Sequence, residues 1–149
     1  MSAFNLSEFL PYKLSILSET ISQLIAKDYE ARFGLTMNQW RAIVIIGAHS
    51  PIAAQGICAK TLLDKMIVSR AVKSLKSRKL ITAISAPDDA RKNLLTLTAH
   101  GARIHDEVLP LALSYEKNLL STLSDSQKNA LDEIIKKLMR EAGEISAQS

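Results

Sequence analysis

Cysteine, proline, glycine and aromatic residues are all scarce in this chain, and each shortage removes a class of protein. Cys58 is the single cysteine, so there is no internal disulfide framework. His49, His100 and His105 are scattered, and with Cys58 they make no metal-ligand set. Five glycines and four prolines in 149 residues argue against collagenous and all-β architectures. There is no glycine-rich phosphate loop, no nucleophile elbow and no ligand triad. The carboxylate pair Asp88-Asp89 lies in a charged turn rather than an apolar setting, so an enzyme is not expected and no cofactor is implied. The stretch Met1-Ser2-Ala3-Phe4-Asn5 has no basic n-region. No apolar run is long enough for a signal peptide or a membrane span, so a cytoplasmic location is expected, without a membrane partner. Repeats and low-complexity segments are also absent. What remains is one soluble domain of ordinary size, rich in helix formers, with 47% hydrophobic residues to build a core and 5% aromatic ones.

What is present in excess is local positive charge. Between Lys60 and Lys92 stand nine basic residues (Lys60, Lys65, Arg70, Lys73, Lys76, Arg78, Lys79, Arg91, Lys92) against Asp64, Asp88 and Asp89. That segment carries +6 in a chain whose total is +4, so the other 116 residues sum to −2. A compact cationic patch attracts a polyanion, and the nucleic-acid backbone is the commonest one.

Periodicity places that patch on a recognisable scaffold. Leu10, Leu14, Leu17, Ile21 and Leu24 fall at 4-3-4-3 spacing, an apolar stripe on a first helix. Thr36-Met37-Asn38-Gln39 is a capping box that starts a second helix, with Trp40, Ile43 and Val44 inward and an end near Gly47. Ser50-Pro51 opens a turn into a short third helix over roughly Ala53 to Leu62. Asp64 is the N-cap of a fourth. At helical spacing, Lys65, Lys76, Ser69, Lys73, Met66, Ser77 and Arg70 share an arc of about 140°, and Val72, Val68, Leu75, Ala71 and Ile67 take the opposite side. One side should pack inward and the other should present lysine, serine and arginine.

Two β-rich runs follow, Leu80 to Ser85 and Leu94 to Leu97, around the charged tip Pro87 to Lys92, which reads as a projecting hairpin carrying Arg91 and Lys92. Thr98 caps a long fifth helix to about Leu123, where Pro110 predicts a bend. Ser124-Asp125-Ser126-Gln127 is a second capping box, leading into a last helix striped by Leu131, Ile134, Ile135, Leu138 and Met139. Helices three and four in helix-turn-helix relation, then a hairpin, then two more helices, make a mainly α chain: a winged helix-turn-helix in a helical frame.

Four ordered segments carry a family resemblance: Leu35-Thr36-Met37-Asn38-Gln39-Trp40-Arg41, Leu63-Asp64-Lys65-Met66-Ile67-Val68-Ser69-Arg70, Asp89-Ala90-Arg91, and Leu95-Thr96-Leu97-Thr98-Ala99-His100-Gly101. From about Leu10 to Glu141 the chain resembles the multiple antibiotic resistance regulator (MarR) family of bacterial transcription factors. The resemblance implies one domain over 1–149, with dimerisation helices about 6–32 and 99–145 and a DNA-binding lobe about 36–98. It further implies a homodimer that binds a pseudo-palindromic operator in double-stranded DNA, with repression by promoter occlusion as the default. Small-molecule release is common in the family, through aromatic acids or phenols bound beside the dimer helices. Phe9, Tyr12, Trp40 and Arg41 are the candidates to line such a site, with Arg41 as carboxylate partner.

The chain departs from the family at several positions. Lys79 and Leu62 stand where glycine is frequent, Ala53 where a capping threonine is frequent, and Ala90 in place of the first of two wing arginines. Lys79 must therefore end the recognition helix without glycine's tolerance for φ > 0, and Gly56 weakens the third helix.

Within this frame Lys65, Ser69, Arg70 and Lys73, with Lys76, face the major groove, and Met66 can touch a thymine methyl. Asp89 orients Arg91 for the minor groove, with Lys92 on phosphate. Plain alternatives stand beside these roles: Trp40 as core, Cys58 as a small buried hydrophobe, the histidines as surface or helix-end residues. Two other functions also fit a basic winged helix, a non-specific architectural DNA binder and a protein-interaction module.

Overall fold

The computed structural model describes residues 3–89 and 92–149. After a 3-10 turn at Leu6–Glu8 come α1 (Leu10–Phe33), α2 (Met37–His49), α3 (Ala54–Thr61), α4 (Lys65–Ser77), the strands β1 (Ile81–Ser85) and β2 (Asn93–Leu97), α5 (Ala99–Leu120) and α6 (Asp125–Ala147). The chain divides into two compact units, one ending at Leu111 and the other spanning Ala112–Ser149. The division falls inside α5, which runs helical through Pro110 and ends three residues before the expected Leu123.

Helix starts follow local chemistry. The Thr36 hydroxyl accepts from Gln39 N–H while the Gln39 side chain accepts from Thr36 N–H, and Ser124 and Gln127 repeat the arrangement at α6. Asp64 caps α4 by accepting from Met66 N–H at 2.7 Å. Ala53, lacking a side-chain oxygen, gives α3 no such bond.

Three helix ends turn in the left-handed region: Gly34 at φ 62° after α1, Leu62 at 56° after α3 and Lys79 at 59° after α4. Lys79 sits in a Schellman turn, with Lys79 N–H on Lys76 O at 2.9 Å and Leu80 N–H on Leu75 O at 3.0 Å. Leu75 and Leu80 are both fully buried beside it.

The first unit's core is built from Tyr29, Leu35, Ile43, Ile46, Ile57, Val68, Leu75, Leu80, Leu95 and Val108. Strands β1 and β2 pair antiparallel from Ile81 with Leu97 to Ser85 with Asn93. Ile52 adds an isolated bridge to Leu95, with bonds of 2.8 and 3.2 Å, tying the middle of β2 to the α2–α3 connection. Trp40 is half-buried rather than core; its ring lies 5.0 Å from Tyr29 and its indole N–H donates to Met37 Sδ at 3.0 Å. His105 is not a surface residue. Its side chain, 17% exposed, packs where Gly47 leaves room, whereas His49 and His100 are exposed.

In the second unit α6 exposes Leu131, Ile134, Ile135, Leu138 and Met139. On α1, Leu10, Leu14, Leu17 and Leu24 are likewise exposed. Among the described residues, no helix is long and apolar enough to cross a membrane.

Candidate nucleic-acid interface

Helix α4 buries Val68, Ala71, Val72 and Leu75 and exposes Lys65, Met66, Ser69, Arg70, Lys73 and Lys76. The face expected from spacing is therefore present, with one shift: Ile67, placed inward by its angle, is exposed and lines a shallow cleft with Arg70, Thr36 and Asn38. Among the described residues, no ion pair engages Lys65, Arg70, Lys73 or Lys76. Their charge is thus available to an external anion.

Lys65, Ser69, Lys73 and Lys76 form one wall of a groove of about 300 Å³ between α3 and α4, and Cys58 forms part of the other. Cys58 is half-buried there, not enclosed in the core.

The helix is held in place by polar ties that spacing does not reveal. Gln39 Nε2 donates to Ser74 Oγ at 2.9 Å, joining α2 to α4. Arg78, counted above in the cationic patch, donates to Phe33 O at 2.8 Å and Gly34 O at 2.9 Å. Part of the patch therefore serves the fold. The Thr98 hydroxyl donates to Lys79 O at 2.7 Å and accepts from Gly101 N–H at 3.0 Å, which binds the end of α4 to the start of α5.

At the hairpin tip, Ala86 N–H donates to Lys92 O at 2.9 Å and Lys92 N–H to Asp89 O at 3.1 Å. Lys92 is exposed and Asp89 half-exposed. Arg91, expected as the minor-groove residue, and its neighbour Ala90 lie outside the described residues.

The four candidate ligand residues separate. Trp40 and Arg41 line a groove of about 420 Å³ whose other walls are aliphatic, chiefly Leu14, Leu17, Ile21 and Ile25 of α1. Phe9 and Tyr12 are not among its lining residues: Phe9 precedes α1 with its ring edge-on to Phe4 at 5.4 Å, and Tyr12 is exposed on α1.

A short helix, a turn, a second helix with a cationic outer face and a two-stranded hairpin define a winged helix-turn-helix protein. Comparison with known proteins supplies the family. Residues 33–92 match the model of the MarR family. The HTH-type transcriptional repressor NicR of Pseudomonas putida is 23% identical over 133 residues, covering 83% of this chain and 84% of NicR. A crystal structure of a MarR/EmrR family transcriptional regulator from Acinetobacter sp. ADP1 shares 27% identity and superposes with a TM-score of 0.86, covering 95% of this chain and 99% of that one. MepR of S. aureus, solved as a DNA complex, shares the fold at 20% identity and a TM-score of 0.82, over 94% of this chain and 99% of that one. The family-model match, the Pseudomonas relative and the Acinetobacter structure all indicate a MarR-family transcriptional regulator.

Proposed function

We propose that the chain is a repressor that acts as a homodimer on a pseudo-palindromic operator, with α4 of each subunit in the major groove of one half-site. The observation that carries this reading is the segregation of α4 into a buried apolar side and an exposed side of Lys65, Ser69, Arg70, Lys73 and Lys76, whose lysines and arginine make no ion pair among the described residues. Arg70 can bridge guanine O6 and N7, the lysines and Ser69 can take phosphates or base edges, and Met66 can meet a thymine methyl. The sequence assigns Arg91 to the minor groove, with Asp89 to orient it and Lys92 on phosphate. Half-sites then lie about one helical turn apart.

A second copy is supported by the apolar side chains that α1 and α6 each leave exposed, since monomers rarely keep large contiguous apolar patches in water. Repression is supported by the role named for the Pseudomonas relative. A small aromatic acid or phenol as effector is supported by the groove beside Trp40, where Arg41, half-buried and without an ion-pair partner among the described residues, can meet a carboxylate.

The test is selection of preferred duplexes from a random pool, followed by anisotropy titration of the winning duplex and placement of that duplex across a reporter promoter. Preferential binding at a stoichiometry of two chains per duplex, with reduced transcription, is expected. Equal affinity for a shuffled duplex would leave an architectural DNA binder instead. A thermal-shift screen of aromatic acids tests the effector: a stabilising compound should also release DNA.

A further inference from the structure

We propose that Arg78 is a positioning residue for sequence reading, one that fixes α4 about its own axis and does not contact DNA. The inference rests on α4 being the reading helix, as proposed above. Arg78 stands just past the last turn of α4, and its two terminal nitrogens donate separately to Phe33 O at 2.8 Å and Gly34 O at 2.9 Å, 45 and 44 residues away. Those carbonyls end α1, where intrahelical donors have run out and the helix dipole is negative. A planar guanidinium satisfies two such acceptors at once, which a lysine ammonium on a flexible stem does not do in fixed geometry.

A second tie lies on the same edge of α4. Ser74, four residues earlier and so nearly above Arg78 on the helix, accepts from Gln39 Nε2 at 2.9 Å. The two contacts hold one edge of α4 to the end of α1 and the start of α2, while Arg70 and Lys73 project from its exposed face. Rotation of α4 by a few degrees would carry those side-chain tips off base edges yet leave them within reach of phosphates. Base contacts need geometry; phosphate attraction is long-ranged. Loss of the fork should therefore reduce discrimination between sequences without changing the number of phosphates neutralised.

Arg78→Lys tests this, because it keeps the charge and removes the fork. Affinities for the duplex selected by the wild-type protein and for a shuffled duplex are measured by anisotropy across a series of salt concentrations. The expected result is a selected-to-shuffled ratio lower by roughly five-fold or more, with the slope of log affinity against log salt unchanged. Ser74→Ala, which changes no charge, should lower the ratio in the same direction, and it carries the test if Arg78→Lys does not fold by circular dichroism. An unchanged ratio in the folded variant overturns the inference, as does an Arg78→Ala variant whose slope is shallower by about one ion per subunit, the mark of a lost phosphate contact. Failure of the wild-type protein to bind any duplex overturns the DNA reading itself, and this inference with it.

Discussion

The side-chain amide of Gln39 bonds at both ends: its oxygen accepts from Thr36 N–H at 3.0 Å and its nitrogen donates to Ser74 Oγ at 2.9 Å. One residue therefore closes the start of α2 and ties α2 to α4. Gln39→Ala should cost about 1–2 kcal/mol, the sum of half a capping box and one part-buried hydrogen bond. Ser74→Ala should cost only the second, about 1 kcal/mol or less. Urea unfolding of the two variants separates the contributions; equal losses would mean that the cap contributes nothing.

Lys79 and Leu62 hold left-handed backbone at φ 59° and 56°, a conformation that costs L-residues about 1–2 kcal/mol. Replacement by glycine removes that cost and adds roughly 0.4–1 kcal/mol of unfolded-chain entropy. Lys79→Gly should therefore stabilise by roughly 0.5 kcal/mol, and Leu62→Gly by at least as much, because Leu62 is 86% exposed and forfeits almost no burial. The denaturant midpoint should rise with its slope unchanged. A fall for Leu62→Gly would reveal side-chain contacts that stabilise the native state.

Gly101 sits directly against the carbonyl of Leu80, the residue that ends the Schellman turn after α4. A Cβ at this position would overlap backbone, which cannot rotate away as a flexible side chain can. Gly101→Ala should destabilise by about 2–3 kcal/mol or more, at the upper end of overpacking costs. A melting temperature within a degree of the wild-type protein would show that the start of α5 can shift freely from Leu80, contrary to the Thr98 bonds that join them.

These sites mark how far the sequence is legible. Starts of helices are readable because caps are local: Thr36 with Gln39 and Ser124 with Gln127 lie three residues apart, and both boxes form. The facing of α4 is readable because four buried residues recur at helical spacing in a strongly segregated segment. Contacts between distant residues are not. Nothing near Arg78 points to Phe33, nothing near Ile52 points to Leu95, and Tyr29 lies beyond the α1 stripe yet is fully buried while the stripe's four leucines are exposed. Periodicity states that a face is apolar; it does not state what covers it. For the same reason Phe9 and Tyr12 are offered by resemblance and by their aromatic character, while the walls of the groove are aliphatic residues one to four turns further along α1.

Arg70 and Lys73 share the exposed side of α4 but should fail differently when removed. An arginine forking onto a guanine carries sequence information, so Arg70→Ala should cost about 1–3 kcal/mol on the preferred duplex and relax selectivity at one base pair of each half-site. A lysine on phosphate carries none, so Lys73→Ala should weaken preferred and shuffled duplexes alike and make the salt slope shallower by about one ion per subunit. Both variants should keep the wild-type melting temperature within about a degree, because neither side chain is buried or paired among the described residues. Titrating each variant against duplexes changed one base pair at a time distinguishes the roles. If Arg70→Ala lowers affinity uniformly and leaves every base preference intact, direct reading by this arginine is wrong, and the discrimination has to come from Ser69, Met66 or the shape of the duplex.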